Sequence, residues 1–264
     1  AIRALFVTLM AIAALAAPHD GRLRLGTVAQ SSAADIDTAL AAAKAAERSW
    51  QRLGGEGRAR ILERAADLIE DNRTQLMAVI VREGGKTLGN ALGDVREAAD
   101  FLRYYAGEAR RLFGKPVELK SATGERNTLS LAGRGTFACI SPWNFPLAIF
   151  TGQIAGALAA GNCVVAKPAE QTPVTAYLAT QILHKAGVPV GVLHLLPGGG
   201  TVGASLIADR RVDGIAFTGS NATAAAIQQG LVKRGGAIVP LIAETGGINA
   251  MIVDSSALPE QVVR

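Results

Sequence analysis

The residues of this chain that can do chemistry fall in five short runs, each closing an apolar stretch. Ser141-Pro142-Trp143-Asn144-Phe145-Pro146 sets an amide between two prolines. The prolines fix an irregular backbone, and the Asn144 NH2 is a donor suited to an oxygen that gains negative charge. Taken alone, a Pro-rich turn with Asn144 bonded to its own backbone is the simpler account. Lys167-Pro168-Ala169-Glu170 joins a cation to a carboxylate, a combination that can grip the hydroxyls of a ribose or form an ordinary ion pair. Gly198-Gly199-Gly200-Thr201-Val202-Gly203 permits close backbone approach. Phe217-Thr218-Gly219-Ser220 puts backbone N–H groups and a hydroxyl at a helix start, where an anion such as a pyrophosphate is favoured; a plain Ser N-cap explains Ser220 equally well. Glu244-Thr245-Gly246-Gly247 carries a carboxylate from an apolar lead-in, 238–243, onto a glycine turn. Burial there would suit Glu244 to general-base work, while backbone N–H groups are its competing partners.

These runs need elements to position them. From residue 135 onward, apolar β-rich runs at 136–140, 163–166, 192–196, 215–217 and 237–242 alternate with helical patterns. Continuous apolar strands of this kind predict a parallel sheet covered by helices on both faces, a Rossmann-like α/β fold. Right-handed crossovers would then bring all five runs to one sheet edge. Residues 31–113 read as helices. Ser32 caps the first with Asp35 in its first turn, and Gly54-Gly55 ends it after the stripe Ala39, Ala43, Ala46, Trp50. Further stripes end at Gly84-Gly85 and at Gly114-Lys115-Pro116. Glu47, Arg64 and Arg96 lie off the stripes and read as solvated faces, and nothing in this segment reads as catalytic. Short runs flanking Ala122-Thr123-Gly124 predict a hairpin. The expected division is an unassigned apolar segment over 1–25, helices over 26–114, hairpin or oligomerisation strands over 115–134, and the Rossmann-like unit over 135–264.

Composition narrows the function classes. The chain has 264 residues, 49% hydrophobic and 19% charged, which excludes a disordered chain and gives room for a large core. The net charge of +5 is scattered without basic runs, so no nucleic-acid partner is expected. Cys139 and Cys163 in apolar surroundings exclude a disulfide framework, and the three histidines show no paired ligand spacing, so no metal is expected. The uncharged stretch 4–17 would rise about 21 Å as a helix, too short to span a membrane. It has the look of a signal-peptide apolar region, although nothing downstream reads as secreted; a buried or disordered tail is the alternative. At the other end, Leu258-Pro259-Glu260 reads as the opening of a helix, as though the chain were cut mid-domain.

Together, Pro142-Trp143-Asn144-Phe145-Pro146, Lys167-Pro168-Ala169-Glu170, Phe217-Thr218-Gly219-Ser220 and Glu244-Thr245-Gly246-Gly247 resemble the NAD(P)-dependent aldehyde dehydrogenase superfamily, from about Gly26 onward. Thr245, the Asn249-Ala250-Met251-Ile252-Val253-Asp254 run and residues 258–263 are similar to L-glutamate-γ-semialdehyde (pyrroline-carboxylate) dehydrogenases, particularly the module of bifunctional proline-utilisation proteins. The resemblance implies a cytoplasmic, homo-oligomeric parent enzyme oxidising a small aldehyde with NAD. It implies that Asn144 donates to the aldehyde oxygen and that Glu244 activates the water that hydrolyses a thioester. Lys167 and Glu170 would bind the adenosine ribose, Glu170 disfavouring a 2′-phosphate. Ser220 and Gly219 would hold the pyrophosphate, and Ile140, Ser141, Trp143, Gly200, Gly203 and Phe217 would line the dinucleotide site. Pro142, Ala169, Thr218, Thr223, Thr245 and Gly246 complete the implied cofactor set. The family's nucleophilic cysteine lies further on than the twenty residues after Glu244; Cys139 and Cys163 match strand positions instead. The implied role is the cofactor-binding portion of such an enzyme, inactive alone. The alternative is a noncatalytic nucleotide-binding or interaction module.

Overall fold

The computed structural model describes residues 12–263. Ile12–Ala17 (β1) and Asp20–Ala29 (β2) pair antiparallel. This corrects the helical reading of 4–17 for its described part, 12–17; residues 4–11 lie outside the described residues. Leu15 and Ala17 are buried, which is strand alternation, and the Pro18-His19 turn sends the chain back along itself. The segment left unassigned over 1–25 therefore contains a hairpin.

Four helices follow: Ala33–Arg52 (α1), Gly54–Asp71 (α2), Arg73–Gly84 (α3) and Leu88–Phe113 (α4). Ser32 and Asp35 form the expected capping arrangement, each side chain meeting the other's backbone N–H. Gly54-Gly55 does not end α1 in a loop but opens α2 directly after Leu53. The reason is packing: a Cβ on Gly55 would overlap the Ala109 carbonyl of α4, so glycine lets the two helices close on each other. Val117–Leu119 (β3) and Asn127–Leu129 (β4) form the expected short hairpin.

The remaining elements are Thr136–Ile140 (β5), Ala148–Ala159 (α5), Cys163–Lys167 (β6), Pro173–Ala186 (α6), Leu193–Leu195 (β7), Gly200–Ala208 (α7), Val212–Gly219 (β8), Asn221–Arg234 (α8), Leu241–Thr245 (β9) and Pro259–Val262 (α9). The five strands β5–β9 make one parallel sheet in the order β7-β6-β5-β8-β9. β5 and β6 are buried throughout, as their unbroken apolar sequences require. One face carries α2, α4, α5 and α6 in a core around Leu62, Leu102, Phe150 and Leu158; the other carries α7 and α8 with the start of α1 around Leu40, Val165, Leu206 and Ile215. β9 begins four residues later than expected. Pro240 has no N–H to give, but its carbonyl accepts from Ile215 N at 3.0 Å, so the ladder proper starts at Leu241.

Buried charges join the helical layer to the sheet unit. Arg58, 3% exposed, donates from Nε to Ala159 O at 3.0 Å and from Nη1 to Gln51 O at 3.2 Å. Trp50 Nε1 donates to Leu158 O at 3.1 Å. Together they satisfy the carbonyls that end α5, where a cation complements the helix dipole. Glu47 is not on a solvated face, since Lys44 Nζ bridges it to Asp213 at 2.8 Å each and the Thr136 hydroxyl donates to it at 2.9 Å. Replacing Arg58 by Met removes the donors to the Ala159 and Gln51 carbonyls, and we expect a loss of about 2–3 kcal/mol of stability, read from the midpoint and slope of urea unfolding.

Candidate functional site

The strand register places the chemical runs. Lys167 is level with Ile140, Ile140 with Phe217, and Phe217 with Ala243, so one row crosses four strands at their carboxyl ends. β5 is the point where the strand order reverses, with β6 and β7 to one side and β8 and β9 to the other. Chains leaving β5 and β8 enter α5 and α8 on opposite faces, which opens a crevice between them.

Ile140, Ser141 and Phe217 are buried and form the floor of this rim. Ser141 N donates to Lys167 O at 3.2 Å, fastening the first rim loop to the neighbouring strand. Beyond it Pro142 is half-buried and Trp143 is 54% exposed. Asn144 is exposed and makes no side-chain hydrogen bond within the described residues, so the self-bonded turn does not explain it.

Lys167 is buried, and its Nζ donates to Pro168 O at 2.8 Å and Gly198 O at 2.7 Å. Two of its three N–H groups are thus spent on backbone, with Glu170 Oε2 4.0 Å away and open to solvent. Burial lowers the Lys167 ammonium below its ordinary pKa, and the Glu170 charge opposes this. Gly203 backs the lysine stem, since a Cβ there would sit 3.6 Å from Lys167 Cδ. Ala169 is buried beside it, and Gly200 opens α7 with clear space around it.

Ser220 caps α8: its Oγ accepts Thr223 N at 3.2 Å and lies 2.9 Å from the Thr223 hydroxyl. The N–H groups of Asn221 and Ala222 meet no protein acceptor among the described residues, as the first turn of a helix requires. Two unspent donors at the positive end of a 14-residue helix, directly on the rim after Gly219, fit the pyrophosphate of a dinucleotide.

Glu244 lies beside Thr218 in the ladder, and Thr245 beside Gly219; both Glu244 and Thr245 are exposed, with Gly246 following in an exposed turn. The expected burial of Glu244 is not found. Among the described residues β9 pairs on one side only, and apart from Leu241, which packs on the α8 side of the core, its residues are left exposed. Glu244 and Thr218 share an apolar groove of about 510 Å³ with Phe217, Ile242, Tyr105 and Gln153. Gln153 was not among the expected residues. Its Nε2 donates to Thr218 Oγ1 at 3.0 Å and Ile140 O at 3.3 Å, while its Oε1 is buried without a partner among the described residues. The signal for it was a long amide in a helix whose only other polar side chain is Thr151. The candidate residues thus form two groups flanking β5: Lys167 with the β7–α7 loop, and Thr218, Glu244 and Gln153 with the α8 cap.

Residues 13–264 match the family model described as the aldehyde dehydrogenase family. The chain belongs to that family. The match starts well before Gly26, so the resemblance extends into the N-terminal hairpin. The chain is 52% identical over 250 residues to the bifunctional protein PutA of Klebsiella aerogenes, covering 93% of this chain and 18% of that one. It is 40% identical over 244 residues to the 1-pyrroline-5-carboxylate dehydrogenase of Geobacillus thermodenitrificans, covering 88% of this chain and 46% of that one. Among solved structures it superposes on Bradyrhizobium japonicum proline utilization A with a TM-score of 0.87 at 52% identity, covering 89% of this chain and 24% of that one. A Thermus 1-pyrroline-5-carboxylate dehydrogenase with bound NAD gives 0.86 at 38% identity, covering 90% and 47%. The chain therefore spans less than half the length of each of these relatives. Among the described residues, no helix is long and apolar enough to cross a membrane, and no cluster of three metal-ligating side chains occurs.

Neither thiol belongs to the site. Cys139 and Cys163 are buried in β5 and β6, and burial pushes each up to about 12. At pH 8 the thiolate fraction is then about one in ten thousand, against about one in four for a free thiol. A thiol-labelling reagent at pH 8 is expected to leave both unmodified in the folded protein and to modify both in guanidinium, by mass spectrometry.

Proposed function

We propose that this chain is the cofactor-binding part of an NAD-dependent aldehyde dehydrogenase that oxidises L-glutamate γ-semialdehyde to glutamate in proline catabolism. The observation that carries the reading is the row of strand ends. The row sets the loop bearing Asn144, Lys167, the N-terminus of α8 and Glu244 at neighbouring strand ends on one sheet edge, in a chain of this family, and that adjacency supports the reading. The semialdehyde is the reading favoured by the relatives, four PutA proteins and several 1-pyrroline-5-carboxylate dehydrogenases.

NAD, when bound, supplies the hydride acceptor. The chain's own groups do the rest of their share. Asn221 and Ala222 N–H groups take pyrophosphate oxygens at the end of α8. The remaining Lys167 N–H and the Glu170 carboxylate bind ribose hydroxyls, donor and acceptor side by side. Asn144 donates to the aldehyde oxygen as negative charge collects there, an interaction that strengthens toward the transition state. Glu244 takes a proton from the water that hydrolyses a thioester formed on a thiol other than Cys139 and Cys163. Gln153 holds Thr218 at the mouth of the same groove.

In the full-length protein encoded by the gene, NAD-dependent oxidation of L-glutamate γ-semialdehyde is the direct test; no NADH formation with any short aldehyde would refute the reading. Lys167→Ala is expected to weaken NAD binding at least about tenfold, or 1.4 kcal/mol, by calorimetric titration. Equal affinity would remove the ribose role. Glu244→Gln is expected to keep the first burst of NADH and lose steady turnover by about 100-fold or more. Steady turnover at the parent rate would remove the general base.

A further inference from the structure

The end of α3 and the link to α4, Glu83-Gly84-Gly85-Lys86, reach the first rim loop from the helical layer. Lys86 Nζ is 3.0 Å from Asp94 Oδ2 and 3.7 Å from the centre of the Phe145 ring, the residue next to Asn144. Asp94 is fully buried, and its other oxygen accepts the Ala148 N–H at 2.7 Å, at the first residue of α5. Pro146 lies between these two contacts and packs on Gly84, where a Cβ would sit 3.7 Å from Pro146 Cγ. Gly85 closes α3 in the left-handed region at φ 68°, and Pro18 of the N-terminal hairpin covers it so closely that a Cβ would lie 2.9 Å from Pro18 Cγ. Asn144 itself has no side-chain hydrogen bond among the described residues. Its direction is therefore set by its neighbours: a ring under a cation, a proline against a glycine, and a peptide N–H held by a carboxylate.

We propose that Lys86 and Asp94 are positioning residues for Asn144, their ion pair fixing Phe145 and the first turn of α5 and so aiming the amide. The proposal rests on the reading of Asn144 as the donor to the developing oxyanion. Stability alone does not account for the pair, because a buried ion pair is commonly no more stabilising than well-packed apolar residues of the same size. What apolar replacements cannot supply is the joint geometry. One ammonium meets both a buried carboxylate and an aromatic face on the rim, and cation–π attraction pulls the ring toward the cation.

The test compares Lys86→Met, Lys86→Arg, Phe145→Leu and Asn144→Ala in the full-length protein. Lys86→Met is expected to lower kcat about 10- to 100-fold, as a misplacement of about 1 Å does, with NAD affinity near the parent, although the Asp94 carboxylate it leaves buried lowers the thermal midpoint. Hydrogen exchange of the 142–148 amides should quicken, and Lys86→Arg should recover part of kcat. Phe145→Leu, which leaves the ion pair intact, should reproduce the kcat loss even where Lys86→Met folds poorly. An unchanged kcat in Lys86→Met and Phe145→Leu, or a loss of kcat matched by an equal loss of NAD affinity in both variants, overturns the positioning role while leaving Asn144 in place. Asn144→Ala at the parent rate overturns the oxyanion role and this proposal with it.

Discussion

Helix α5 has neither end in water. Its first N–H lies under the helical layer, where Asp94 accepts it, and its last carbonyls lie at the opposite end of that layer, where Arg58 and Trp50 donate to them. A carboxylate at the start and a guanidinium at the finish match the helix dipole at both poles, in surroundings where unsatisfied backbone groups are costly. α6 is treated alike: Glu83, buried on α3, accepts Val174 N at 2.7 Å and Thr175 N at 2.8 Å, with the Thr175 hydroxyl at 2.7 Å. Burial pushes the Glu83 and Asp94 carboxyls up, and the donors around each pull the other way. The helical layer thus grips the two helices that follow β5 and β6 by their termini.

This grip matters for the site because a rim loop has only two anchors, the strand before it and the helix after it. β5 and β6 are fixed by sheet hydrogen bonds and complete burial. With α5 and α6 held at their first turns, the loops carrying Asn144 and Lys167–Glu170 are short spans between rigid supports. Preorganised donors are what a developing charge requires, since moving them during the reaction would consume the stabilisation they provide. The far half of the rim is built differently. α8 has a single buried residue, Ile227, and β9 is largely exposed, so Ser220 and Glu244 depend on the ladder to β8 and on local capping.

Much of the sheet unit was legible because its central strands are apolar without interruption and because α6 and α8 stop at glycine. The runs at 136–140 and 163–166 coincide with β5 and β6 to within a residue. Other features failed for physical reasons. The stretch before Pro18 has the hydrophobicity of a leader, and composition alone does not separate a helix from a strand there. Gly54-Gly55 looks like a helix end but serves an interhelical contact with Ala109 and Phe113. The Glu244 lead-in is apolar, yet apolar sequence guarantees burial only where another element exists to cover it.

The parallel α/β class, the five chemical runs and their common edge follow from the order of residues alone, because strand periodicity and crossover handedness are local or nearly local properties. That order also carried the family resemblance, residue by residue. Only the tertiary structure decided which charges of the helical layer are structural partners rather than solvated faces. The bonds Glu83–Val174, Asp94–Ala148, Arg58–Ala159 and Glu47–Thr136 join residues 54 to 101 positions apart, and no period or spacing encodes such pairings. It also decided that Lys167 points inward to two carbonyls while Asn144 makes no side-chain hydrogen bond among the described residues. Side-chain direction at a rim follows from what packs behind it, and that packing comes from a layer nearly the whole of which precedes the sheet in the chain.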